Sequence, residues 1–245
     1  MVHQYVFFWG SLALTLLWTI AYVWARGQRD VILVGTGLAL PLSFLEPWFL
    51  RDYWAPASLF QLSERVGLSI ESFAFSFALG GLAPLPGLLF VPRIRSSLFE
   101  PRARRTVFAL YVTLIASMGA LGTLSSLNSI YAVCLSQFLV GVGSAALRPR
   151  LLPAVLAGGL GSAAWYYAGF LALDALFPDF IAGTYYPHRF LASALFGVPL
   201  EEVLFAASAG MSWCGMLLWS CFDGPAEPAS ALSQPAAVAS ERIAS

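Results

Sequence analysis

Seven stretches of this chain, 4–24, 31–50, 67–91, 106–125, 130–147, 151–177 and 190–222, are apolar runs, each near or above the roughly 20 residues an α-helix needs to cross a bilayer. Such runs leave the fold few alternatives. In hydrocarbon every backbone N–H and C=O must find its partner inside the chain, so each run is expected to be helical. The expected class is all-α: a polytopic membrane protein with seven transmembrane helices. The composition agrees, at 59% hydrophobic and only 11% charged residues with mean hydropathy +0.76, far from the average of a soluble domain. The last run is long, and Gly197 with Pro199 divides it.

Net charge is zero, but the charges are unevenly placed. Every basic residue is an arginine. Nine (Arg26, Arg29, Arg93, Arg95, Arg102, Arg104, Arg105, Arg148 and Arg150) follow the first, third and fifth runs, whereas the alternate loops hold three, Arg51, Arg65 and Arg189. Basic loops stay on the cytoplasmic side, so the N-terminus is expected outside and the C-terminus inside, in a prokaryotic cell membrane. The basic run 93–105 then reads as a topology signal, and no nucleic-acid partner is expected. The first apolar run is too long for a signal-peptide core and lacks basic residues before it. The tail 223–245 is small, polar and proline-containing, and is expected to be disordered. Cys134, Cys214 and Cys221 fall within or at the end of apolar runs without metal-ligand spacing, and His3 and His188 lie in loops and form no metal pair.

The chain also repeats itself. GLSIESFAFSFALG at 67–80 and GVPLEEVLFAASAG at 197–210 align at a constant offset, matching Gly67 with Gly197, Glu71 with Glu201, Phe75 with Phe205 and Gly80 with Gly210. Upstream, FLEPWFLRDYW around Glu46 parallels ALDALFPDFIAGTYY around Asp174. Partners four runs apart cross in the same direction, which makes a parallel tandem repeat of three helices each, joined by a connector helix. The expected organisation is a first repeat at 1–91, a basic loop plus connector at 92–129, a second repeat at 130–222, and the tail.

Five acids, Glu46, Glu71, Asp174, Glu201 and Glu202, recur at one depth in this scheme. Ionisable groups within spans are costly, so they face a bundle interior and mark function. The plain alternative is that Pro199 opens a helix whose first-turn acids complement its dipole. Adjacent helical positions point about 100° apart, so Glu201 and Glu202 cannot line one narrow stripe, and the sequence leaves open which of them is the proton donor. Aromatics surround the acids. Phe73, Phe75, Phe205, Trp165, Tyr166 and Trp213 are candidates to line a substrate pocket, whereas Tyr53, Trp54, Tyr185 and Tyr186 read better as an interfacial belt. An acid beside an aromatic-lined apolar pocket suits chemistry that protonates an alkene and shelters a carbocation.

At these residues the chain resembles the lycopene cyclase domain family, the small membrane-embedded type found as heterodimers or tandem fusions. Pro199-Leu200-Glu201-Glu202 with Phe205 fits that family's Pro-x-Glu-Glu motif opening an apolar helix, and Asp174 with Gly183-Thr184-Tyr185 fits the preceding acid and aromatic turn loosely. The first half departs: Ser69-Ile70-Glu71-Ser72 has neither the proline nor the second acid, and Glu46 stands where an Asp is usual. The resemblance implies a redox-neutral, proton-initiated cyclisation of an acyclic carotenoid end group, an isomerase reaction (intramolecular lyase) that needs no cofactor. It makes Glu201, Glu202 and Asp174 the acid–base group, with Glu71 and Glu46 supporting. The expected partners are the carotenoid and the lipid bilayer, with a homodimer one expected form.

Other classes fit less well. A retinal Schiff base needs a lysine. A Glu-Glu-x-x-x-Arg protease motif would need arginine where Ala206 stands, and Asp174 with Asp179 makes no Asp-rich magnesium motif. GVGSAA at 141–146 and GLGSAA at 159–164 lie inside apolar runs, so helix packing through small residues explains them better than a dinucleotide. The rival readings are a non-catalytic carotenoid or lipid binder, or a proton-coupled membrane transporter.

Overall fold

The computed structural model describes residues 5–91, 101–186 and 194–219. The expected disordered tail, His3, His188, Arg93, Arg95, Arg189 and Cys221 lie outside the described residues. The described chain is almost entirely helical. Its helices are α1 (Val6–Trp24), α2 (Arg29–Ala39), α3 (Glu46–Asp52), α4 (Leu62–Val66), α5 (Ile70–Leu82), α6 (Leu85–Leu88), α7 (Pro101–Leu124), α8 (Ser129–Leu147), α9 (Leu152–Leu176), α10 (Phe180–Thr184) and α11 (Leu200–Leu217). Among the described residues the one sheet is a two-residue hairpin, β1 (Ala194–Leu195) with β2 (Val198–Pro199).

Four segments are long and apolar enough to cross a membrane: Val6–Trp24, Arg26–Asp52, Pro101–Leu124 and Ser129–Leu147. A fifth follows if Leu59–Val66 and Ile70–Leu88, bent by 94°, count as one broken span. Two of the seven expected runs, those holding α9 and α11, do not reach that apolarity. The reason lies in their residues: α11 opens with two glutamates, and α9 dilutes its leucines with glycines, Trp165, Tyr166, Tyr167 and Asp174.

The break at Gly197 is a tight turn. Phe196 and Gly197 both have positive φ (47° and 89°), the geometry of a type I′ hairpin turn, and it delivers Pro199 to the head of α11. The entry to α5 is built differently: Gly67 (φ 76°) ends α4 in the left-handed conformation, and Ser69 Oγ accepts from Ser72 N–H to cap the new helix.

Packing falls into two similar groups. α5 lies along α1 and α2, and α11 lies along α8 and α9. Each group has a crossing where backbones touch. A Cβ on Gly80 would overlap the Gly35 carbonyl, and a Cβ on Gly210 would overlap the Gly158 carbonyl, the small-residue contact that lets apolar helices approach closely. The outer faces of α1 and α7 leave Leu16, Ile20, Phe108 and Val112 exposed. A ring of exposed large apolar side chains on a helical bundle suits lipid, not water.

Candidate functional site

Glu202 sits in the first turn of α11 and is 5% exposed. Tyr53, at the end of α3, donates its phenol to Glu202 Oε1 at 2.7 Å, and Tyr166 on α9 donates to Oε2 at 2.8 Å. The Tyr185 phenol engages the same carboxyl. Three phenols from three parts of the fold thus converge on one acid. Burial pushes the loop phenols of Tyr53 and Tyr185 well above their ordinary range, with the nearby Glu202 charge the next cause. Both therefore stay protonated and remain donors.

Tyr53 and Tyr185 are not interfacial belt residues. They are 2% and 5% exposed, and their rings meet edge-to-face at 5.4 Å. The cause is an antiparallel contact between segments 53–55 and 184–186. Trp54 pairs with Tyr185, Ala55 N–H donates to the Thr184 carbonyl at 2.8 Å, and Tyr186 N–H donates to the Tyr53 carbonyl at 3.1 Å.

Glu202 borders a cavity of about 100 Å³ that lies between the two helix groups. Phe49, Phe75, Phe205, Trp213 and Tyr166 supply its aromatic wall, and Met118, Ile130 and Leu79 its aliphatic wall. Phe75 and Phe205 stack at 6.4 Å. Glu46 also borders this cavity. Its carboxyl accepts from Ser63 Oγ at 2.7 Å, Ser69 Oγ at 2.8 Å and Ser69 N–H at 2.6 Å. The Ser63 bond ties α3 to α4, and the two Ser69 bonds tie it to the turn that starts α5.

The other acids are placed differently. Glu201 is fully buried but lines neither this cavity nor the one beside it; its Oε1 accepts from the Tyr131 phenol on α8. Glu71 accepts from Leu59 N–H at 2.7 Å and is likewise off the cavity wall. Asp174 is half-buried near the end of α9, where a Cβ on Gly197 would sit 3.7 Å from its Oδ2. The structure therefore brings Glu202 and Glu46 to one cavity and does not bring Asp174 to it. Of the six aromatic candidates, Phe75, Phe205, Tyr166 and Trp213 line this cavity, and Trp165 lines a second one beside it. Phe73 turns away and meets Phe44 edge-to-face at 5.4 Å, where Phe44 is 61% exposed.

Sequence reasoning missed Tyr53, Tyr131 and Tyr185 as partners of the acids. It also missed the pair Gln137 and Ser208, whose hydroxyl donates to Gln137 Oε1 at 2.6 Å at the cavity wall. A polar residue inside an apolar run, as Gln137 is in α8, was the available signal.

Residues 128–220, from the start of α8 through α11, match the family model for lycopene cyclase. No curated protein and no solved structure is found to match the chain. The matched segment holds Tyr166, Tyr185, Glu201 and Glu202, so it is this second part of the chain that resembles a lycopene cyclase domain, and the match supports a divergent relation to that family.

Proposed function

We propose that this protein cyclises an acyclic carotenoid end group, with Glu202 as the proton donor in the cavity between the helix groups. One observation carries the proposal: Glu202 is a buried carboxyl that both borders an aromatic cavity and receives phenol hydrogen bonds from Tyr53 and Tyr166. Neutral Glu202 transfers its proton to the terminal C=C of the end group, leaving a carbocation. The next suitably placed C=C attacks it, forming the ring C–C bond and moving the positive charge into the ring. Loss of a proton from the adjacent carbon restores a double bond. No electrons are gained or lost, and the product is an isomer of the substrate.

Each part of the site serves a step. As Glu202 gives up its proton, negative charge appears on oxygens that three phenols already address, so the donors are preorganised for the charge that develops. The rings of Phe75, Phe205 and Trp213 present π-faces to the cation. A predominantly apolar wall limits the water that could capture it. The proton returns to the Glu202 carboxylate, with Glu46 the second carboxyl on the same cavity. Glu201 acts through Tyr131 as a positioning residue that sets α11 against α8. Glu71, held by Leu59 N–H, positions the entry to α5, and Asp174 supports the hairpin before α11.

We also infer that the chain is an internal duplication crossing the membrane seven times, with the C-terminus cytoplasmic. Residues equivalent in the repeat touch one another, as they do where a twofold axis passes. Phe75 stacks on Phe205, and Cys214 Sγ lies 3.5 Å from the Pro84 carbonyl. Positions 72 and 202 both border the cavity. One is serine and the other glutamate, so the duplicated site keeps a single donor.

Expression in a lycopene-accumulating host, with pigments separated by chromatography, tests the activity. A new cyclic carotenoid is expected; unchanged lycopene that co-purifies with the protein would leave it a binder.

A further inference from the structure

A second cavity, of about 240 Å³, lies between α1 and α9. It shares Trp54, Phe75 and Tyr166 with the first, so the side chain whose hydroxyl reaches Glu202 also forms the partition between the two spaces. Small residues create the gap. Gly10 and Ala13 on α1 face Gly169 and Ala172 on α9, and a Cβ on Gly169 would meet nothing within 4 Å. The wall includes exposed apolar residues on both helices: Leu17 on α1 and Leu176, the last residue of α9, are 50% and 71% exposed. Its wall is apolar and aromatic. The Ser11 hydroxyl is occupied by the Glu71 carbonyl at 3.2 Å.

We propose that this second cavity is a lateral channel that takes the linear polyene chain of an acyclic carotenoid from the bilayer between α1 and α9. Its end group then reaches Glu202 through the Trp54–Phe75–Tyr166 partition. The inference rests on the cyclase reading above. Rings on both sides of a narrow slot suit a flat conjugated chain, and continuity with the acid-bearing cavity gives that chain a destination that a lipid tail would lack. One channel with one acid admits one end of the substrate per binding event. A two-ended substrate is therefore released and re-enters for a second ring, and a monocyclic carotenoid precedes any bicyclic one.

The test uses the purified full chain in detergent micelles, titrated with all-trans lycopene and followed by quenching of tryptophan fluorescence, since Trp54 and Trp165 line the channel. Gly169→Phe fills the channel from α9 and Ala13→Phe fills it from α1, so a folding failure of one leaves the other. Leu171→Phe, on α9 but off the channel wall, is the control. Wild type and Leu171→Phe are expected to bind lycopene, and at least one channel-filling variant that elutes as a monodisperse species is expected to bind at least tenfold more weakly. Wild-type binding by the folded channel variants would overturn the channel, as would equal competition by dioleoyl phosphatidylcholine at the same molar amount. If wild type binds lycopene through the channel but never converts it, the channel stands and the cyclase reading fails.

Discussion

Tyr53 donates to Glu202 at 2.7 Å across 149 residues of sequence, so the acid of the second half is completed by a phenol of the first. The site is a product of both halves, although only one half carries the full Pro-Leu-Glu-Glu motif. Removing a single phenol tests this directly. Tyr53→Phe and Tyr166→Phe keep the ring and delete only the donor, and each is expected to lower cyclisation by about tenfold to a thousandfold, the range for losing one preorganised donor to a developing anion. Rates are compared at matched amounts of folded protein. Activity unchanged in both variants would remove the phenols from the mechanism.

Burial and the Glu202 charge raise Tyr53 and Tyr185 above their ordinary value near 10. A group whose folded value is raised contributes stability that is fully present below its unfolded value and lost as pH rises through the folded one. The fold is thus expected to hold without loss from these phenols up to about pH 10. Above that pH it weakens, and the two phenolates appear only as the protein unfolds. Ultraviolet titration of tyrosinate alongside circular dichroism checks this; Tyr53→Phe/Tyr185→Phe should soften the alkaline loss.

Gly80 and Gly210 occupy matching crossings, against Gly35 and Gly158. A side chain at either forces backbones apart. Gly80→Val and Gly210→Val are each expected to cost about 1–3 kcal/mol or more, the range for overpacking a close-packed contact, read as a lower unfolding midpoint in detergent. A duplication predicts losses of similar size, and a loss at one site only would weaken it.

Glu46→Gln should leave measurable product. The amide oxygen still accepts, but the amide nitrogen cannot take the Ser69 N–H, so the main effect is a looser α3–α5 connection and a lower unfolding temperature. Complete loss of ring formation at normal stability would instead promote Glu46 to the acid–base group.

A reporter fused at the C-terminus should read cytoplasmic. A periplasmic signal would contradict the topology drawn from the arginines.

Much of the site was legible because buried acids in apolar runs are rare. Glu202, Glu46, Phe75, Phe205 and Tyr166 all stand out by type and place, and all border one cavity. What the sequence hid is non-local. Tyr53 and Tyr185 follow helix ends, where tyrosine usually marks an interface, and only the pairing of 53–55 with 184–186 buries them. Phe73 was drawn in by its neighbours, yet two helical positions turn the chain by about 200°, so Phe73 and Phe75 cannot share a face. The offset of the repeat pairs Glu71 with Glu201. It could not tell that position 202, not 201, looks into the cavity, because that depends on how α11 is rotated against α8 and α9.

The central claim is that Glu202 supplies the proton. Membranes carrying Glu202→Gln, in a lycopene-accumulating host and at matched levels of folded protein, are analysed by carotenoid chromatography beside Glu201→Gln. The glutamine keeps the shape, and its amide oxygen can still accept from one of the two phenols, but it has no transferable proton. The account predicts no cyclic product from Glu202→Gln and reduced but detectable product from Glu201→Gln. Wild-type levels of cyclic carotenoid from Glu202→Gln would contradict it.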